Sequence, residues 1–215
     1  MIYDPQTATK TAEYLLQINA IKLSPKNPFT WASGWQSPIY CDNRITLSYP
    51  SIRTYLADSI ASQITNLYGT DIVIAGVATG AIGMGMLVAH KMQRPFVYVR
   101  PESKKHGRKN QIEGHLEPGA KVVVVEDLIS TGTSSLNAVS ALRAQQNEVL
   151  GMIALFTYGF SAAEVNFSKA HLTLHTLSDY PTLIETAIQK KAIETNDQII
   201  LRQWRDNPAE WTVRN

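Results

Sequence analysis

Residues 122–134 read VVVVEDLISTGTS: four consecutive valines, two acids, then a turn of hydroxyl-bearing residues around a glycine. A valine run bounded by polar residues predicts a strand buried on both faces, and such strands deliver their carboxyl ends to ligands in α/β sheets. Beyond it, Ser130, Thr131, Gly132, Thr133 and Ser134 can turn backbone N–H groups, hydroxyls and a helix amino terminus toward one phosphate. The turn has no lysine and its spacing is not that of a P-loop. Glu126 and Asp127 stand just before this cradle, where they would repel a second phosphate but suit the vicinal hydroxyls of a ribose. A strand followed by an N-capped helix, with both acids solvated, is the alternative.

A second group of charges lies upstream. Arg100, Lys104, Lys105, His106, Arg108 and Lys109 face the single acid Glu102 in ten residues. Taken alone, such a run reads as a solvated turn; near the phosphate-cradling segment it reads instead as an anion grip. Gly107 and Gly114 would let the segment open and close. Overall the formal charge is only +2, which does not indicate a nucleic-acid binder.

These residues need a scaffold, and the chain alternates strand and helix patterns. Apolar spacing predicts a helix over Thr7–Ile21, then short strands and turns through the proline-rich stretch SPKNPFTWASGWQSPIYCDNR. A helix follows over Tyr49–Tyr68 with Pro50 at its start, then a strand over Asp71–Val77 and a helix to about Met92. Further strands are expected over Pro95–Arg100, Ala120–Val125 and Val149–Tyr158, with a helix over Thr133–Ala144 and a helical tail from Tyr180. The tail is expected to close over the sheet or the amino-terminal segment. This alternation predicts an α/β domain with a central, mostly parallel sheet flanked by helices.

The 215 residues suffice for one such domain, and 44% hydrophobic with 18% charged residues is the composition of a globular protein with a core. A single cysteine, Cys41, excludes an internal disulfide framework and fits a reducing compartment. The amino terminus lacks the layout of a signal peptide, and the uncharged run Ile72–Ala89 carries four glycines. A cytoplasmic protein without membrane spans is expected. His90, His115, His171 and His175 show no metal-ligand spacing and are given no chemistry.

The VVVVEDLISTGTS stretch resembles the 5-phosphoribosyl 1-diphosphate (PRPP) signature of type I phosphoribosyltransferases. YVRPESKKHGRKNQIEGHLEPG resembles the mobile catalytic loop of orotate phosphoribosyltransferases, and FTWASGWQSPIYCDNR their amino-terminal segment. The resemblance runs through EVLGMIALFTYGF to the tail and covers nearly the whole chain. It implies a type I phosphoribosyltransferase fold over 1–215, with a small hood built from about the first 45 residues. It also implies transfer of 5-phosphoribose from PRPP to orotate, with Mg²⁺ held mainly by PRPP rather than by the protein. By the same resemblance Arg100, Lys104, His106, Glu126, Asp127, Leu128, Ile129, Ser130, Thr131, Gly132, Thr133 and Ser134 bind PRPP. Lys104, His106 and Asp127 take part in catalysis, and Ser130 also reaches orotate. Cations beside the departing diphosphate would stabilise charge where it develops. The family forms homodimers that share sites, which implies that Lys104 and His106 act in the neighbouring subunit's site.

Four cationic positions of better-known members are absent: Ala32, Thr79-Gly80, Pro101 and Tyr158 stand there. Arg44 is expected to restore charge beside the orotate carboxylate; an ion pair with Asp42 is the other reading. Tyr40 is either a stacking platform for the pyrimidine or a half-buried strand aromatic. Trp31 and Trp35 flank the same place, where turn packing accounts for them equally well. A purine or uracil phosphoribosyltransferase is a near rival for the activity. A PRPP-sensing regulator is a more distant one.

Overall fold

The computed structural model describes residues 2–31, 33–102 and 111–212. The chain opens on helix α1 (Pro5–Gln17), whose start is set by the Asp4 carboxylate accepting from the backbone N–H groups of Gln6 and Thr7. The predicted continuation to Ile21 does not occur. Asn19 turns into the left-handed region at φ 54°, and Ile21–Leu23 leaves the helix as strand β1.

The proline-rich stretch folds, as expected, into short strands: β2 (Phe29–Thr30), β3 (Gln36–Ser37) and β4 (Ile39–Cys41). β1 pairs antiparallel with β4, and β2 with β3. A 3-10 turn (Asn43–Ser48) closes this hood and leads to α2 (Pro50–Tyr68), which starts on its proline.

Strand β5 (Val73–Val77), α3 (Ile82–Met92), β6 (Phe96–Val99) and the short β7 (Ile112–Glu113) come next. They are followed by β8 (Lys121–Ile129), α4 (Thr133–Ala144), β9 (Glu148–Thr157), α5 (Ser161–Lys169) and β10 (Leu174–Asp179). Helices α6 (Tyr180–Gln189) and α7 (Asp197–Asp206) complete the chain. α5, β7 and β10 have no counterpart among the sequence expectations. β8 is longer than predicted, because the acids continue the strand instead of ending it.

The six strands of the main sheet lie in the order β10-β9-β8-β5-β6-β7, all parallel except β7. From β5 the chain moves outward to β6, whereas β8 returns to the other side of β5 and leads on to β9. The strand order therefore reverses between β5 and β8, the place where open α/β sheets leave a crevice for ligands.

The valine run is buried on both faces, as its composition requires, and alternation divides it. Val123 and Val125 pack with Ile60, Ile64, Met84 and Val88 of α2 and α3. Val122 and Val124 pack with Val139 and Leu142 of α4 and Phe167 of α5. No helix among the described residues is long and apolar enough to cross a membrane.

The tail does close over the hood. Trp204 of α7 is fully buried, and its Nε1 donates to the Gln36 carbonyl at 3.2 Å. Its indole lies 5.4–5.7 Å, centroid to centroid, from the rings of Trp31, Tyr158, Phe160 and Tyr180. Tyr180 completes the tie by donating its hydroxyl to the Leu201 carbonyl at 3.0 Å. Truncating an indole at such a position leaves a cavity and an unpaired carbonyl. Trp204→Ala is expected to lower unfolding stability by about 3–5 kcal/mol in denaturant titrations; an unchanged midpoint would show that the tail is not part of the core.

Candidate active site

The last pairing of β8 with β5 is Val125 with Gly76, but β8 continues beside β9 to Ile129. Glu126 and Asp127 lie on this projecting end, and strand alternation sends them to opposite faces. Glu126 follows Val124 toward α4, where it is 4% exposed and accepts from Ser135 Oγ at 2.7 Å. It also accepts from the Asp127 backbone N–H at 3.0 Å. Asp127 follows Val125 toward the hood and is half-buried.

The same burial acts unequally on the two acids. Desolvation pushes the Glu126 carboxyl well above the usual range and the neighbouring Asp127 charge adds to this, while Ser135 pulls it back. Asp127 is also raised by burial, but its hydrogen bond with Glu126 and the field of Arg44 draw it down. Burial thus acts more strongly on Glu126, the deeper group, than on Asp127, which also feels the field of Arg44.

Beyond Ile129 the chain turns through Ser130 and Thr131 to Gly132, which precedes α4 at φ 79°. A Cβ at Gly132 would also meet the Phe167 ring, 2.6 Å from Cε2, so both backbone and space call for glycine. The Asn166 amide holds the Thr131 carbonyl at 3.0 Å. No side chain caps α4, as is also true of α2, α3, α5 and α7; α1 and α6 are capped by Asp4 and Asp179. Its first N–H groups remain directed at the turn, next to the hydroxyls of Thr131 and Thr133, as an anion site requires. The alternative of an N-capped helix beside solvated acids is not what forms.

The loop after β5 approaches from the other side. A Cβ on Gly80 would collide with the Asp127 carboxylate, so the missing side chain lets that loop close against the acid. From the hood, Asn43 Nδ2 donates to the Asp127 carbonyl at 2.6 Å. Arg44 holds Asp42 through two bonds, Nε–Oδ1 at 2.7 Å and a second guanidinium nitrogen to Oδ2 at 2.8 Å. The ion pair is thus present, and it keeps the guanidinium within electrostatic reach of Asp127 and Tyr40. Tyr40 lies on β4, 44% exposed, with its ring 5.8 Å from that of Phe29.

Tyr158 is buried among Trp31, Phe156, Phe160 and Trp204. It is a packing residue beneath the hood. Trp31 packs likewise, its Nε1 donating to the Ile39 carbonyl at 3.0 Å. Arg100 follows β6 at the same end of the sheet, 3.5 Å from a Glu113 carboxylate oxygen. Lys104, His106 and Ala32 lie outside the described residues.

The structure therefore brings together Tyr40, Arg44, Asp127 and the 130–134 turn, with Arg100 two strands away from β8. Sequence patterns gave no hint of Asn43, whose partner is 84 positions away, or of Ser135, whose hydroxyl meets Glu126 only once α4 packs on β8. Among the described residues no group of three His, Cys, Asp or Glu side chains is placed to hold a metal. Asp127 is the acid left open to the site, which fits a hard cation that takes most of its oxygens from a phosphorylated substrate.

Residues 51–176 match the phosphoribosyl transferase domain family, which sets the class. Over 200 residues the chain is 56% identical to the orotate phosphoribosyltransferase of Bacteroides thetaiotaomicron, covering 93% of this chain and 94% of that one. The orotate phosphoribosyltransferase structure from Aeropyrum pernix aligns with a TM-score of 0.69 at 29% identity, over 84% of this chain and 97% of that one. The UMP synthase structure from Leishmania donovani aligns at 0.76 and 25% identity, over 92% of this chain and 42% of the larger one. This chain belongs to the orotate phosphoribosyltransferase family.

The raised Glu126 pKa fixes the sign of a pH effect. A carboxyl whose folded pKa lies above its unfolded value stabilises fully below the unfolded pKa and loses that contribution as pH rises through the folded one. Glu126→Gln keeps a neutral acceptor for Ser135 and should abolish this loss. Thermal midpoints followed against pH should fall for the parent above the ordinary glutamate range and stay flatter for the variant. A parent midpoint that rises there, and parallels the variant, would contradict a raised Glu126 pKa.

Proposed function

We propose that this chain transfers the 5-phosphoribosyl group of PRPP to orotate, giving orotidine 5′-monophosphate and diphosphate in pyrimidine biosynthesis. The observation that carries this reading is the uncapped amino terminus of α4 beside Asp127, at the strand-order reversal and under the hood.

The 130–134 amides and hydroxyls hold the 5-phosphate, with Leu128 and Ile129 carrying the strand into the turn. Asp127 accepts from the ribose hydroxyls; Glu126, expected from the sequence to share that role, is buried behind it and supports it through Ser135 and the Asp127 N–H. The pyrimidine lies on the hood, with Tyr40 against its ring, Arg44 toward its carboxylate and Ser130 within reach. Because Arg44 is already held by Asp42, little side-chain freedom is lost when it meets an anion.

Breaking the C1–diphosphate bond leaves positive charge on the sugar and adds negative charge to the leaving group. Arg100, Lys104 and His106 stabilise that leaving group. Each charge-assisted hydrogen bond is worth about 1.5–3 kcal/mol, so two of them supply several decades of rate. Magnesium, when bound with PRPP, adds charge neutralisation on the diphosphate. The chain acts as one domain and as a cytoplasmic homodimer, with Lys104 and His106 completing the neighbour's site.

Mixing the protein with Mg²⁺, PRPP and orotate should consume orotate absorbance; turnover with uracil or a purine and none with orotate would overturn the base assignment. Arg44→Ala is expected to raise the orotate KM roughly tenfold to a hundredfold, the value of one charge-assisted contact. An unchanged KM would leave Arg44 as an ion-pair residue only. Gly80→Ala should displace the Asp127 carboxylate and lower kcat/KM for PRPP roughly tenfold to a hundredfold, as ångström-scale misplacement does. Wild-type kinetics in that variant would show that the Gly80–Asp127 approach is not needed.

A further inference from the structure

We infer that Asn43 is a positioning residue for the transfer step: it sets the base-binding hood at a fixed distance from the ribose-binding acid. The inference rests on the function proposed above and adds to it a residue that binds neither substrate.

Asn43 is 2% exposed, and every polar atom of its side chain is committed. Nδ2 donates to the Asp127 carbonyl at 2.6 Å, across 84 positions of sequence. Oδ1 accepts from the Cys41 thiol at 3.3 Å. Its own carbonyl accepts from Thr46 Oγ1 at 2.6 Å, and the preceding Asp42 carboxylate accepts from the Arg44 N–H at 3.2 Å. The side-chain amide thus bridges Cys41 and β8, while the Thr46 bond to the Asn43 backbone carbonyl belongs to the turn's own hydrogen bonding.

Its neighbours in sequence explain what this fixes. Tyr40 and Arg44, three residues before it and one after it, face the base; Asp127, its partner, faces the sugar. Among the described residues, the Asn43–Asp127 bond is the one hydrogen bond from the hood to the 126–134 segment. The nucleophilic nitrogen of the base and C1 of the ribose are held by these two separate pieces of chain. Their approach is set where the pieces meet, and reacting atoms must be brought within about 3–3.5 Å for the step to proceed. An amide suits the position because it donates to a backbone carbonyl without adding charge beside the Glu126–Asp127 pair.

Asn43→Ala removes the donor, and Asn43→Asp keeps the shape but presents an acceptor to the carbonyl. Both are expected to lower kcat about tenfold to a hundredfold. PRPP binding measured without orotate should be little changed, which also shows that each variant is folded. Thr46→Val removes a bond within the same turn while leaving the Asn43–Asp127 contact in place. It is expected to lower the unfolding midpoint yet retain kcat per folded enzyme.

If both Asn43 variants keep the parent kcat, the inference fails. It also fails if Thr46→Val loses kcat to the same extent, since the turn's general stability would then be the cause. Absence of orotate turnover in the parent enzyme is a separate result, and it overturns the base assignment instead.

Discussion

Because β5 stops at Val77 while β8 runs on to Ile129 beside β9 alone, the sheet has a step where its strand order reverses. The site is built around that step. Asp127 stands on it, α4 begins just past it, and the space above β5 is filled by the Gly80 loop and the Asn43 turn. A longer β5 would pair with Glu126–Ile129 and exclude both. The glycine at position 80 and the asparagine at 43 are the local conditions that let two loops meet one acid at this place.

Charge is distributed around the step by the same geometry. Period-two alternation buries Glu126, whose carboxyl burial pushes well above its usual range, and leaves the half-buried Asp127 facing the hood. The α4 amino terminus contributes partial positive charge without a side-chain cap to consume it. The guanidinium of Arg44 is held in advance by Asp42. Negative charge for sugar hydroxyls and positive potential for phosphate thus lie side by side, an arrangement suited to a phosphorylated ribose rather than to a phosphate alone. Tyr158 contributes no charge to this arrangement. That position serves packing, and the aromatic cluster it joins anchors α7 over the hood.

Much of this was legible in the sequence because it depends on local pattern. The valine run reports burial on both faces, and Pro50 marks the start of α2. The glycine among hydroxyl residues after two acids reports the turn before α4. What escaped depends on packing between elements. Glu126 and Asp127 look equivalent in the chain, and only the packing of α4 through Ser135 separates them. Asn43 carries no motif, since its partner is a backbone carbonyl on β8. The early end of α1 follows from the left-handed turn at Asn19, which apolar periodicity does not register. α5 and β10 were missed because their apolar residues follow no strong period, and their faces are set by the neighbouring β9 and α4.

The central claim is that the step between β5 and β8 presents Asp127 to the sugar and the α4 amino terminus to its phosphate. A crystal structure of the protein with PRPP, Mg²⁺ and orotate tests it most directly. The account predicts the 5-phosphate on the amides of 131–134, the ribose hydroxyls on Asp127, and the Asn43 bond to the Asp127 carbonyl intact. A phosphate bound away from that turn, or an Asp127 carboxylate directed away from the sugar, would contradict it.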